Sequence, residues 1–139
     1  MEQFVASNTL DNTCILKFFD LTISESKNNF LKYVWQIKID AQHDLFLEHF
    51  PERPILPGAI VVATILNLMS KTIFKLNNCL YCCRRMEKVT FLNAITPRLS
   101  NLKLDCKFIF NNDVIIVQSV ITDNSSSYFR GSFIFGKES

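Results

Sequence analysis

One histidine in this chain stands among closely spaced prolines. His49 is followed by Pro51, Pro54 and Pro57 and then by Gly58. Each proline fixes φ and removes a backbone donor, so the stretch from His43 to Gly58 reads as a stiff irregular connection, neither strand nor helix. An imidazole with an ordinary pKa of about 6.5 accepts a proton near neutrality, and the apolar Phe50, Ile55 and Leu56 beside it favour its neutral form. Gly58 heads a long apolar stretch. If that stretch is a helix, an uncrowded glycine N–H at its positive end stabilises negative charge developing on a carbonyl oxygen. A base next to an oxyanion site is suited to removing a proton beside a carbonyl. The plainer alternative is a hydrogen-bonded structural histidine.

The elements that must position these groups can be read by period. Cys14 to Ile23 and Asn29 to Ile39 are rich in Phe, Ile, Val, Tyr and Trp, and the polar Ser24 to Asn28 between them predicts a hairpin. In the second run Leu31, Tyr33, Trp35, Ile37 and Ile39 share one face, which is the expected core face. Leu102 to Phe110, Val114 to Thr122 and Tyr128 to Phe135 read as a strand meander split by Asn- and Ser-rich turns. A further strand from about Tyr81 to Ala94 is closed off by Thr96-Pro97. Pro57 to Lys75 has no turn signal and predicts a helix of about 28 Å, apolar enough to be enclosed on most sides. The order β-β-α-β-β-β-β contains no repeat, linker or low-complexity block, so residues 1–139 read as a single α+β domain.

Composition narrows the functional classes. A chain of 139 residues that is 48% hydrophobic can build one packed core and is not an unstructured tail. Fifteen Lys plus Arg against 13 Asp plus Glu leave +2, which argues against nucleic acid as a partner. The amino-terminal residues lack the basic start and apolar stretch of a secretory signal, and the longest apolar run, Ala59 to Leu66, predicts no membrane span. An odd set of cysteines, Cys14, Cys79, Cys82, Cys83 and Cys106, suits reduced thiols in a cytoplasmic protein. Cys79, Cys82 and Cys83 lack a second ligand pair at zinc spacing, so neither a metal nor another cofactor is expected.

His49-Phe50-Pro51-x-Arg53-Pro54-x-x-Pro57-Gly58 leading into an apolar helix resembles the active-site segment of the β-hydroxyacyl-(acyl carrier protein) dehydratases of fatty acid synthesis. The likeness extends more loosely over about Cys14 to Lys137 and includes the turn Phe91 to Pro97. It implies a hotdog fold, an antiparallel sheet wrapped around one long helix, with two protomers joined to build an acyl tunnel. It also implies that His49 removes the α proton of a 3-hydroxyacyl thioester while the Gly58 N–H holds the thioester carbonyl. Phe50, Pro57 and Asn67 fall at substrate-contacting positions. The expected partner is an acyl thioester on acyl carrier protein or coenzyme A, and the expected assembly is a homodimer, an oligomer of dimers or a heterodimer with another hotdog chain.

The sequence departs from that family at one position. The family places Glu or Asp five residues after the glycine, where it protonates the departing hydroxyl; here that residue is Ala63. A methyl group donates no proton. Asn67, one turn on, is a candidate to hold a water in the vacated space. Glu48, Asp44, His43 and the Thr64 hydroxyl are candidate substitutes, and spacing does not choose among them. Arg53, Arg84, Arg85, Lys88 and Arg98 are candidates for docking an acidic carrier around the tunnel mouth, or are solvated charges. Three functions follow: a dehydratase with its acid supplied elsewhere, an acid-deficient acyl-binding subunit that works with a partner protomer, and a thioesterase.

Overall fold

Alternation of apolar and polar side chains dictates the sheet. In the computed structural model, which describes residues 14–26, 29–48 and 52–138, β1 (Leu16–Ser26) and β2 (Phe30–Ile39) form the amino-terminal hairpin. β2 buries Leu31, Tyr33, Trp35 and Ile37 and turns the residues between them outward. A short helix α1 (Asp44–Glu48) and the long helix α2 (Gly58–Asn77) follow, and then β3 (Tyr81–Phe91), β4 (Leu102–Asn111), β5 (Val114–Thr122) and β6 (Ser127–Lys137). All pairings are antiparallel, in the order β1-β2-β4-β5-β6-β3, so β1 and β3 are the edges. Asparagines at positive φ stand at the β1–β2 and β4–β5 reversals, Asn29 and Asn112, and at the entry to β4, Asn101, because their short amide tolerates the left-handed conformation.

The apolar face of the sheet is covered by α2. Val61, Ile65, Leu68, Met69 and Ile73 recur at helical spacing and are buried on that face. Tyr33 stacks on Trp35 with ring centroids 4.5 Å apart, and Phe108 meets both rings edge-on. The helix ends at Asn78, whose left-handed backbone lets its N–H donate to the Phe74 carbonyl at 2.7 Å. By length and composition α2 is apolar enough to cross a membrane; here one stripe of it is buried against the sheet.

Three expectations need correction. The connection before α2 is not wholly irregular: residues 44–48 form a turn of helix, because the prolines begin only at Pro51, the His43 ring Nδ1 accepts the Leu45 N–H at 3.1 Å, and Phe46 is buried as an anchor. β3 stops at Phe91 and does not reach Ala94. Beyond it the backbone is committed elsewhere, with Leu92 N–H donating to Tyr128 and the Ile95 carbonyl accepting from Leu56. The helix is also less enclosed than its composition suggests. Ala59, Ala63 and Phe74 are exposed along its other side and Val62, Leu66, Asn67 and Ser70 are half-buried.

The β5–β6 turn is held by Asp123. Its Oδ1 accepts the Ser125 and Ser126 amides at 2.8 Å each, and its Oδ2 accepts the Tyr128 hydroxyl at 2.6 Å. The Tyr128 bond first, and then these amides, lower the Asp123 pKa from 3.8 to about 2. A carboxylate pKa depressed by folding stabilises the fold above its ordinary value, and that contribution is lost as pH falls through the folded value. Tyr128→Phe removes the largest cause. The loss of stability between pH 3.8 and about 2 should therefore be shallower in the variant than in the parent when unfolding is followed by circular dichroism; equal slopes would show that this bond is not what holds the carboxylate charged.

Candidate active site

The site is assembled where α2 begins. Pro57 has extended backbone, φ −60° and ψ 140°, and makes no side-chain cap. The first amides to donate within the helix are those of Ile60 and Val61, both to the Pro57 carbonyl, at 3.0 and 3.2 Å. The N–H groups of Gly58 and Ala59 lie ahead of that ladder, where helix geometry leaves donors unused and the macrodipole is positive. A further backbone bond, Leu56 N–H to the Ile95 carbonyl at 2.8 Å, ties this entry to the segment after β3. Between them lies a hollow of about 340 Å³ lined by Ile55, Leu56, Gly58, Val61, Phe91 and Leu92, among others.

The glycine is required by space. A Cβ on Gly58 would lie 2.7 Å from the Phe91 ring, closer than real side-chain carbons approach. That ring packs on Phe129 at 5.2 Å between centroids and is otherwise 48% exposed. Gly58 thus admits an aromatic wall against the helix start, next to the unused amides. A carbonyl entering the hollow would find hydrogen-bond donors in an apolar surround, where they act most strongly.

The residues expected at the site divide into groups. His49 and Phe50 lie outside the described residues. Pro57 and Gly58 are at the helix start and half-buried. Ala63 is exposed, at the centre of the uncovered side of α2. Asn67 is half-buried and does not line the hollow; nine residues along the helix place it about 13 Å from Gly58. The Thr64 hydroxyl is spent, donating to the Ile60 carbonyl at 2.7 Å. His43 caps α1, while Asp44 and Glu48 are exposed on it.

The basic residues do not gather at a mouth. Arg53 and Arg98 are exposed in loops. Arg84 lies against Gly136 with its guanidinium on the Lys137 carbonyl, Arg85 pairs with Glu87 at 3.2 Å, and Lys88 lines a groove away from the hollow. The thiols of Cys79, Cys82 and Cys83 are half-buried. That of Cys83 donates to the Arg85 carbonyl, and partial burial raises its pKa. Among the described residues no group of three metal-ligating side chains comes together.

Sequence reasoning missed two features. Phe91 and Leu92 were legible as the end of a strand and part of a turn, yet they wall the hollow; the signal was a glycine in an otherwise bulky apolar run. Asp20 is the one acidic side chain buried among the described residues, 7% exposed, with Oδ1 unpaired opposite the equally unpaired Trp35 indole N–H. Its signal was an acid in the core phase of β1, following Leu16 and Phe18. It stands on the edge strand opposite to the one that carries Phe91.

Comparison with known proteins adds to this geometry. Residues 23–131 match the family model described as ApeI-like, ApeI dehydratase. No curated protein matches the sequence. The structure is similar to yhdA of Lactococcus lactis, a candidate thioesterase, with a TM-score of 0.67 at 12% identity, covering 95% of this chain and 99% of that one. It is similar to the dehydratase heterocomplex ApeI:P from Xenorhabdus doucetiae, with a TM-score of 0.59 at 13% identity, covering 99% of this chain and 93% of that one. A hypothetical thioesterase of Streptococcus pneumoniae solved with coenzyme A matches at a TM-score of 0.55 and 10% identity, covering 84% of each chain. The antiparallel sheet on one long helix is the hotdog fold.

Gly58→Ala should cost about 1 kcal/mol, since the Phe91 ring must move. That cost should largely disappear in a Phe91→Ala background, a coupling measurable by urea denaturation of the single and double variants. Strict additivity would mean that ring and glycine do not constrain each other.

Proposed function

The chain belongs to the ApeI-like dehydratase family, and on that premise we propose that it eliminates water from a 3-hydroxyacyl thioester to give the trans-2-enoyl thioester, as the fatty-acid dehydratases that it resembles do. The observation that carries this reading is the pair of amides at the start of α2 that have no backbone acceptor among the described residues, beside an apolar hollow that only a glycine leaves open. In the proposed reaction the Gly58 N–H receives the thioester carbonyl and stabilises the enolate-like charge. His49 takes the α proton, the Cα electron pair forms the double bond, and the Cβ–O bond breaks. The departing hydroxyl leaves as water once it has gained a proton. Phe50 and Pro57 border the acyl chain in this reading, and Asn67 contacts it farther along the helix. The thioester is carried on acyl carrier protein or coenzyme A, and the compartment is the cytoplasm, in keeping with five free thiols.

Ala63 does not supply that last proton. One structural feature favours a partner that does: Ala59, Ala63 and Phe74 are uncovered on α2, and the edge strand β3 beside that helix has Met86 and Phe91 exposed. Covering apolar surface of this kind favours association. We infer a dimer through this surface, either of two identical chains or with a second hotdog protomer whose carboxylate faces residue 63. In the first case water held in the site passes the proton. In the second this chain is the half that binds the acyl group and its partner completes the acid function. A neighbour that is itself a dehydratase heterocomplex supports the second arrangement.

His49→Ala should lower turnover of a 3-hydroxyacyl thioester roughly 10²- to 10⁴-fold, with circular dichroism unchanged, as expected for loss of a general base. Absence of enoyl product from the folded parent chain, on either thioester handle and with a co-purifying hotdog chain present, would overturn the reading. Release of free acid in place of enoyl thioester would assign thioester hydrolysis. Ala63→Glu should raise dehydration by the isolated chain if only the acid is missing, and leave it unchanged if the chain is confined to binding.

A further inference from the structure

The two faces of the sheet differ in chemistry. Phe91, Phe129, Ile121 and Leu104 turn toward α2, and the residues beside them in sequence turn away from it. On that outer face lies a groove of about 600 Å³ whose side chains are Lys88, Thr90, Gln118, Val120, Arg130 and Ser132. Two are cations, three are neutral hydrogen-bonding groups, and none is a carboxylate. The nearest acid in sequence, Glu87, is held by Arg85 at 3.2 Å. Neither Lys88 nor Arg130 has an ion-pair partner among the described residues.

The groove is made by an irregularity in β3. The ladder between β3 and β6 slips between Glu87 and Thr90, and Lys88 within the slip has φ 54°, a conformation that L side chains adopt at a cost. A bulge of this kind re-aims side chains. Val89 turns inward over Gly131, where a Cβ would already be 3.2 Å from its methyl group. Lys88 is left lining the outer groove, and the Thr90 hydroxyl closes the bulge by donating to the Lys88 carbonyl at 3.2 Å. Thr90 is paired with Arg130 in the ladder, and Arg130 lines the same groove as Lys88.

A second hollow of about 310 Å³, lined by Lys32, Lys107, Asp105 and Val34 among others, shares Gln118 and Val120 with this groove. The whole trough is of nucleotide size, with the Lys88 and Arg130 cations in its larger part, hydrogen-bonding side chains and an apolar patch at Val34 and Val120. We propose that this outer-face trough binds a phosphorylated small molecule of the nucleoside diphosphate class, with its pyrophosphate between Lys88 and Arg130 and the remainder along Gln118 and Val120. Charge-assisted bonds from guanidinium and ammonium to phosphate oxygens supply the recognition. The site shares no residue with the hollow at Gly58 and stands apart from the proposed elimination.

The test is calorimetric titration of the full chain with inorganic pyrophosphate, ADP and coenzyme A at low and moderate salt. ADP should bind, and both Lys88→Asn and Arg130→Gln should weaken it about tenfold or more, the effect expected of losing a charge-assisted contact. Asparagine tolerates the positive φ at residue 88, so that variant removes charge without disturbing the bulge, and Gly58→Ala should bind ADP as the parent does. Tighter binding of coenzyme A than of ADP would identify the source as a nucleotide-bearing acyl handle; equal binding would identify a free nucleotide. Unchanged affinity in both variants would overturn the proposal, as would displacement of ADP by equimolar sulfate or tighter binding of poly-glutamate than of any phosphorylated probe.

Discussion

The burial of one stripe of α2 on the apolar face of the sheet is the constraint from which the rest follows. Val61, Ile65, Leu68, Met69 and Ile73 are spaced for a helix and meet Phe108, Phe129, Phe133 and Phe135, spaced for strands, in a single core. A helix this apolar can satisfy one side within its own chain. Its other side, with Ala59, Ala63 and Phe74, stays exposed in the single chain.

Docking the helix on the sheet also fixes its first turn. Leu56 is bonded to Ile95, the chain after β3 leaves its ladder to make that bond, and the Phe91 ring comes to rest where only a glycine leaves space. Backbone donors at the helix start are therefore presented to an apolar hollow by contacts from the segment that leaves the end of β3. In the proposed elimination a residue so placed acts through its lack of a side chain, with its amide as the functional group.

The sheet separates two chemistries by strand alternation. Toward α2 it is mostly apolar, with Asp20, Ser119, Tyr33 and the Trp35 indole N–H among its polar groups, and Ser119 is satisfied by the Gly131 carbonyl at 3.0 Å. Away from α2 it carries Lys32, Lys107 and Arg130 among neutral polar groups and the single acid Asp105 of the second hollow, so a chain of net charge +2 presents a locally basic face. Overall charge is a poor guide to such a face because compensating acids, Asp40, Asp44, Glu48 and Glu52, are grouped in the connection before the helix.

The amino-acid sequence determined the order of the strands, the core phase of β2 and the position of the long helix, because these depend on periods of 2 and 3.6 that are local properties of the chain. It also marked Pro57-Gly58 as the head of that helix. Tertiary structure decided what local periodicity cannot express: which strand lies beside which, that Phe91 faces Gly58, that Asp20 is buried opposite Trp35, and that Asn67 stands two turns away from the hollow. It also decided that Lys88, adjacent in sequence to the acid Glu87, escapes it through a bulge and joins Arg130 from another strand. Each of these is a contact between residues far apart along the chain or a departure from regular geometry, and such contacts become specific only when the helix and the sheet are packed together.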